Sequence, residues 1–184
     1  MTKNTVLMHI DGYRGTGKST LMFQFQKAFP DFIFGDLDDT LEEAIAQIGV
    51  CESIDRYWTL VSTAHQHFLD KWILEQRKPI ILVGNNWLPE GLFPPAWRYV
   101  AISAERKYIL DVHPIRVAWR GHKQGEFSAF SALKKLVCSR SARELFQADI
   151  QNIQQLNAAL QANGYTFRSA SQIYEELDVL SVSL

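Results

Sequence analysis

The chain has 184 residues, 47% hydrophobic and 21% charged, with a formal net charge of −1. This balance points to one compact domain, residues 1–184, with a sizeable core, and it excludes a disordered chain or a small disulfide scaffold; Cys51 and Cys138 lie far apart with no CxxC or metal-ligand spacing. Charge is uneven, with residues 104–144 at +5 and the remainder at −6, yet the chain as a whole is not basic, which argues against a nucleic-acid partner.

The opening residues MTKNTVLMHIDG contain an apolar run too short for a signal peptide and broken by His9 and Asp11. No later run reaches membrane-spanning length, so a cytoplasmic protein without a membrane partner is expected. The same run predicts a first strand over Val6 to Asp11, and a first helix follows from Lys18 to about Phe29. Between them stands Gly12-Tyr13-Arg14-Gly15-Thr16-Gly17-Lys18-Ser19, followed by Thr20. A glycine-rich loop of this spacing between strand and helix is a P-loop. Its glycines let successive backbone N–H groups converge on a β-phosphate, and the helix start adds its positive dipole end. Lys18 supplies a point charge to the β- and γ-phosphates, and the Ser19 hydroxyl can ligate Mg²⁺. The implied ligand is a nucleoside triphosphate, read as MgATP.

A second strand is expected at Phe32 to Phe34, after the breaker Pro30-Asp31, and then Gly35-Asp36-Leu37-Asp38-Asp39. In an open parallel sheet the carboxyl ends of the strands line the ligand crevice, so these acids would face the triphosphate. Asp36 is read as the Mg²⁺ residue and Asp38 as the acceptor of a proton from an attacking hydroxyl. A plain turn with Asp39 as a helix cap is the other reading, and the two can coexist.

A short helix is expected near Leu41 to Ile48 and a long one from about Ile54 to Gln76, ended by Lys78-Pro79. His65 and His67, two apart on that helix, point to different faces and are read as structural. The run Ile80-Ile81-Leu82-Val83 suits a central strand buried on both faces. It ends in Gly84-Asn85-Asn86, which offers no acid of the kind motor ATPases place there, and no NKxD-type guanine reader is present. Trp87, Phe93 and Trp97 sit around prolines in the next loop and are read as loop packing, with the option of walling an acceptor site. Trp97 to Ser103 is the fourth strand, Arg140 to Ala162 a long helix stopped by Asn163-Gly164, Tyr165 to Arg168 a fifth strand and Ser171 to Leu180 a last helix.

Taken together, the P-loop GYRGTGKS, the DLD at 36 to 38, the stretch Asp55-Arg56-Tyr57-Trp58-Thr59-Leu60, the turn Gly84-Asn85-Asn86 and the strand YVAIS with its basic sequel resemble the small-metabolite kinases of the nucleoside monophosphate kinase fold, particularly shikimate and gluconate kinases. The chain departs from them in having GNN where shikimate kinases carry three glycines, and in lacking the gluconate kinase signature after that strand. The resemblance implies a three-layer αβα P-loop fold with a five-stranded parallel sheet in order 2-3-1-4-5. It also implies a lid, at about residues 112–130, and phosphoryl transfer to a small-molecule acceptor. It places Arg116, Arg120 and then Lys123 in the lid, where arginines would cover the transferring phosphoryl group, and Arg140 and Arg143 in the position of a post-lid arginine. Gly84, Asn85 and Asn86 would line the acceptor site. Two alternatives stay open: a nucleoside or nucleotide kinase of the same fold, in which Arg56 would grip a phosphate, and a regulatory module that binds ATP without transferring phosphate.

Overall fold

In a computed structural model of the chain, residues 5–13, 16–48, 53–84, 98–102 and 140–183 are described, those of 140–150 in backbone alone. The elements run β1 (Val6–Asp11), α1 (Lys18–Ala28), β2 (Ile33–Asp36), α2 (Leu37–Gln47), α3 (Ile54–Glu75), β3 (Ile80–Val83), β4 (Arg98–Ile102), α4 (Arg140–Ala162), β5 (Thr166–Arg168) and α5 (Ala170–Val182). They form two compact units. One comprises Met1–Gly12, Gly17–Ile102 and Tyr165–Leu184; the other comprises Tyr13–Thr16 and Ser103–Gly164. The first holds the entire sheet with α1, α2, α3 and α5, and the second holds α4.

The sheet has five strands in the order β2-β3-β1-β4-β5, and every neighbouring pair is parallel. Strand β3 is buried along its whole length, as its unbroken apolar run predicts. Alternation divides its side chains between two cores. Ile81 and Val83 join Met8, Ile10, Met22, Phe25, Phe29, Ile173 and Leu177 on the face covered by α1 and α5. Ile80 and Leu82 join Val6, Leu37 and Leu69, with Trp72 packed against them, on the face covered by α2 and α3. Each such side chain contributes about 2 kcal/mol through removal from water.

The helices begin where local chemistry favours it. Ser53 caps α3 by accepting the Arg56 N–H at 3.3 Å, and Ser169 with Gln172 forms a reciprocal capping box on α5. Strand β2 and helix α2 differ from the expectation. The strand runs on to Asp36 and the helix starts at Leu37 rather than near Leu41, because Asp36, not Asp39, is the cap: its carboxylate accepts the Asp38 N–H at 3.0 Å. Gly35 accommodates this tight passage, since a Cβ there would come within 2.5 Å of the Trp72 ring.

His65 lies in the interior, as the structural reading of that residue expected, and His67 lies on the surface. The His65 Nε2–H donates to the Thr40 hydroxyl at 2.9 Å, and that hydroxyl donates to the Leu37 carbonyl at 3.1 Å, so α2 is fastened to α3. Burial lowers the His65 pKa and keeps the ring neutral. Thr40→Val keeps the shape but strands a buried N–H. It is expected to cost about 1–3 kcal/mol and to lower Tm by roughly 2–10 °C in thermal unfolding; an unchanged Tm would mean the bond is not made.

No described helix is long and apolar enough to cross a membrane. The expected lid at 112–130, with Arg116, Arg120 and Lys123, lies outside the described residues, as do Arg14, Gly15 and the loop 85–97 with Asn85, Asn86, Trp87, Phe93 and Trp97.

Candidate active site

Strand β1 ends in a buried acid, Asp11, whose carboxylate accepts the N–H of Gly12. Gly12 has a φ of 153° and Gly17 one of 89°, conformations in which a side chain would be strained. Gly17 is the cap residue of α1 and brings no side-chain acceptor to the first turn. That turn, with Lys18 half-buried and Ser19 and Thr20 exposed, is therefore open to an anion at its positive end. In the second unit the Thr16 N–H donates to the Tyr13 carbonyl at 3.1 Å, and the buried Thr16 hydroxyl has no partner among the described residues. An uncapped helix start and a lysine suit the phosphates of a nucleotide.

The Lys18 ammonium donates to the Gly12 carbonyl. Burial pulls its pKa down from the usual lysine value, and the charges of Asp11, Asp38 and Asp36 oppose that pull. The structure thus brings together Lys18, Asp36 and Asp38 from among the expected residues and adds Asp11 to them. Burial raises the Asp36 pKa first of all; the Asp38 N–H and Lys18 pull it back, while the charges of Asp38 and Asp39 raise it further. Asp38 itself is exposed in the first turn of α2. Gly84 closes the floor beneath these acids: with a φ of 138°, it leaves room where a Cβ would lie 2.9 Å from the Leu37 Cβ and 3.4 Å from Asp36 Oδ1.

Arg56 is exposed in the first turn of α3, and Arg140 opens α4. Among the described residues no group of three or more His, Cys, Asp or Glu forms a metal cluster. A P-loop Mg²⁺ needs none, since it takes one or two carboxylates or hydroxyls and completes its shell with phosphate and water.

Two features escaped the sequence reading. Asp11 was read only as the end of a strand, although a buried acid next to the loop glycine is a signal of its own. His9 was read only as a break in an apolar run. It is buried in the middle strand with both ring nitrogens engaged, Nδ1 with the Tyr165 hydroxyl at 2.7 Å and Nε2 with the Gly84 carbonyl at 3.1 Å.

A parallel sheet in the order 2-3-1-4-5, with a phosphate-type loop between the central strand and its helix, defines the P-loop kinase fold of the nucleoside monophosphate kinase type. A solved structure has the same fold: shikimate kinase from Bacteroides thetaiotaomicron matches with a TM-score of 0.53 at 16% identity, covering 97% of this chain and 99% of that one. The protein TT1252 from Thermus thermophilus is also similar, with a TM-score of 0.40 at 13% identity over 87% of this chain and 98% of that one. No protein-family model matches the sequence, and no curated protein matches it significantly.

Proposed function

We propose that the chain is an ATP-dependent phosphotransferase that moves the γ-phosphoryl group of MgATP to a hydroxyl of a small metabolite. The observation that carries this reading is the convergence of Lys18 with Asp36 and Asp38, close enough for their charges to act on one another. A module that only senses ATP has use for the lysine but not for two acids facing it.

In this reading the backbone N–H groups of the loop and the first turn of α1 hold the phosphates, and Lys18 spans the β- and γ-phosphates. Ser19 and Asp36 are the residues suited to hold Mg²⁺, directly or through water. When bound, the metal supplies positive charge that offsets the charge developing on the phosphate oxygens. Asp38, exposed at the strand ends, accepts the proton of the acceptor hydroxyl as its oxygen bonds to the γ-phosphorus and the bond to the β-phosphate oxygen breaks, releasing ADP. The acceptor would reach these groups from the side of the strand ends, past Gly84. Arg116, Arg120 and Arg140 keep the roles the resemblance implies as part of this proposal. So do the small-molecule partner and the cytoplasmic setting.

The direct test is a transfer screen with MgATP across sugar acids, polyols, nucleosides and nucleotides. Phosphorylation of none of them would count against the reading. Within it, Asp38→Asn is expected to lose transfer by roughly a hundredfold or more while retaining ATP, the scale of a positioned general base. Asp36→Asn should instead raise the Mg²⁺ concentration needed for half-maximal activity. The raised pKa of Asp36 adds a pH signature. Metal binding needs the carboxylate, so activity should fall on acidification at a pH displaced upward from that of an ordinary aspartate, and Asp36→Asn should remove that inflection. Stability runs the other way: the native state holds the Asp36 proton more tightly than the unfolded chain, so this group's contribution declines as pH rises through the same window. A pH profile identical in wild type and Asp36→Asn would argue that Asp36 is only a cap.

A further inference from the structure

We propose that His9 is a positioning residue, which fixes Gly84, and through it the Asp36 carboxylate, by bridging Tyr165 and the end of β3. This role deepens the transfer reading and rests on it for its kinetic readout alone.

A polar ring in the central strand of a sheet is costly to bury unless both nitrogens are satisfied. Here they are, and the partners dictate the tautomer. The Gly84 carbonyl can only accept, so Nε2 carries the hydrogen and donates at 3.1 Å, which leaves Nδ1 to accept from the Tyr165 hydroxyl at 2.7 Å. Burial first, then the neighbouring Lys18 charge, holds the His9 pKa at about 4 against the opposing effect of the Gly84 bond. The ring is therefore neutral, in one tautomer, throughout the neutral range.

The Gly84 N–H in turn donates to the Ile10 carbonyl at 3.0 Å. Both backbone polar groups of Gly84 are thus held by consecutive residues of β1, immediately before Asp11 and Gly12. On its other side Gly84 lies against Leu37, where a Cβ would stand 2.9 Å from the Leu37 Cβ and 3.2 Å from its nitrogen, with Asp36 Oδ1 at an ordinary contact distance of 3.4 Å. A displacement of this glycine cannot be absorbed by a flexible side chain. It must pass to Leu37, and so to its neighbour Asp36, which both caps α2 and faces Lys18. Small displacements matter in a transfer site, where a misplacement of about 1 Å costs on the order of a hundredfold in rate.

Two substitutions separate this role from simple space-filling. His9→Gln puts an amide N–H where Nε2 lies and keeps the bond to Gly84. His9→Asn reaches only as far as Nδ1 and keeps the link to Tyr165 while releasing Gly84. ADP formation from MgATP in the presence of the acceptors of the transfer screen should fall roughly tenfold to a hundredfold in His9→Asn, with the KM for ATP changed no more than about twofold, and should recover in His9→Gln. In parallel, the amide N–H of Asp38, which donates to the Asp36 carboxylate, should move in the ¹H–¹⁵N spectrum of His9→Asn and keep its wild-type position in His9→Gln. Equal rates and equal Asp38 amide positions in the two variants would overturn the proposal, whatever their melting temperatures. If instead the wild type formed ADP no faster than Lys18→Ala with those acceptors, the transfer reading would fall by itself, and the Asp38 amide would still decide whether His9 positions the Asp36 carboxylate.

Discussion

Lys18→Ala is expected to weaken ATP binding and to lower turnover by about 10²–10³, the scale for losing a preorganised group that meets charge developing in the transition state. The side chain donates to the Gly12 carbonyl and is the cation set against Asp11, Asp36 and Asp38. Its removal also takes away an effect that holds down the Asp36 pKa, so Asp36 should protonate more readily in the variant. The fold should persist, because Lys18 belongs to neither apolar core. Titration with a fluorescent ATP analogue, alongside far-ultraviolet circular dichroism, separates loss of binding from loss of structure. A folded variant with wild-type affinity and turnover would refute the nucleotide assignment.

Gly84→Ala should be strongly damaging. The backbone there has a φ of 138°, which an L side chain rarely adopts, and the new Cβ would stand 2.9 Å from the Leu37 Cβ and 3.2 Å from the Leu37 nitrogen. Backbone strain and overpacking of this kind each cost on the order of 1–3 kcal/mol, so a fall in Tm of roughly 5–15 °C is expected. Turnover should fall too, since relief of the clash requires Leu37, the neighbour of Asp36, to move. A melting temperature within about 2 °C of wild type would show that the α2 start does not rest on Gly84.

Much of this architecture was legible in the residues because its signals are local. Val6 to Asp11 and Ile80 to Val83 occur as predicted, and Lys78-Pro79 stops α3 one residue before the expected end. The strand order followed from the resemblance carried by the P-loop and is the order observed. The start of α2 was missed because Asp36-Leu37-Asp38-Asp39 reads as a polar turn; only the structure shows Asp36 bonding the Asp38 N–H and Leu37 packing inward. His9 was missed for a different reason. Its partners Gly84 and Tyr165 lie 75 and 156 residues away, and no local spacing encodes such a pairing. In the sequence Asp11 reads only as punctuation, because a strand end and a buried counter-charge look the same until Lys18 is placed beside it.

The core around α1 is shared between distant parts of the chain, with Met8, Ile10, Phe25 and Phe29 closed over by Ile173, Leu177 and Leu180 of α5. On a ribosome adding about 5–20 residues per second, the partners of Ile10 are made roughly ten to thirty seconds after it. During that interval the loop helix and the central strand exist without their cover, and Tyr165 is not yet available to His9. The segment that would bind phosphate is thus synthesised well before it is completed, so the nascent chain passes through a period in which Phe25 and Phe29 lack their α5 cover and are exposed to chaperones or to other chains.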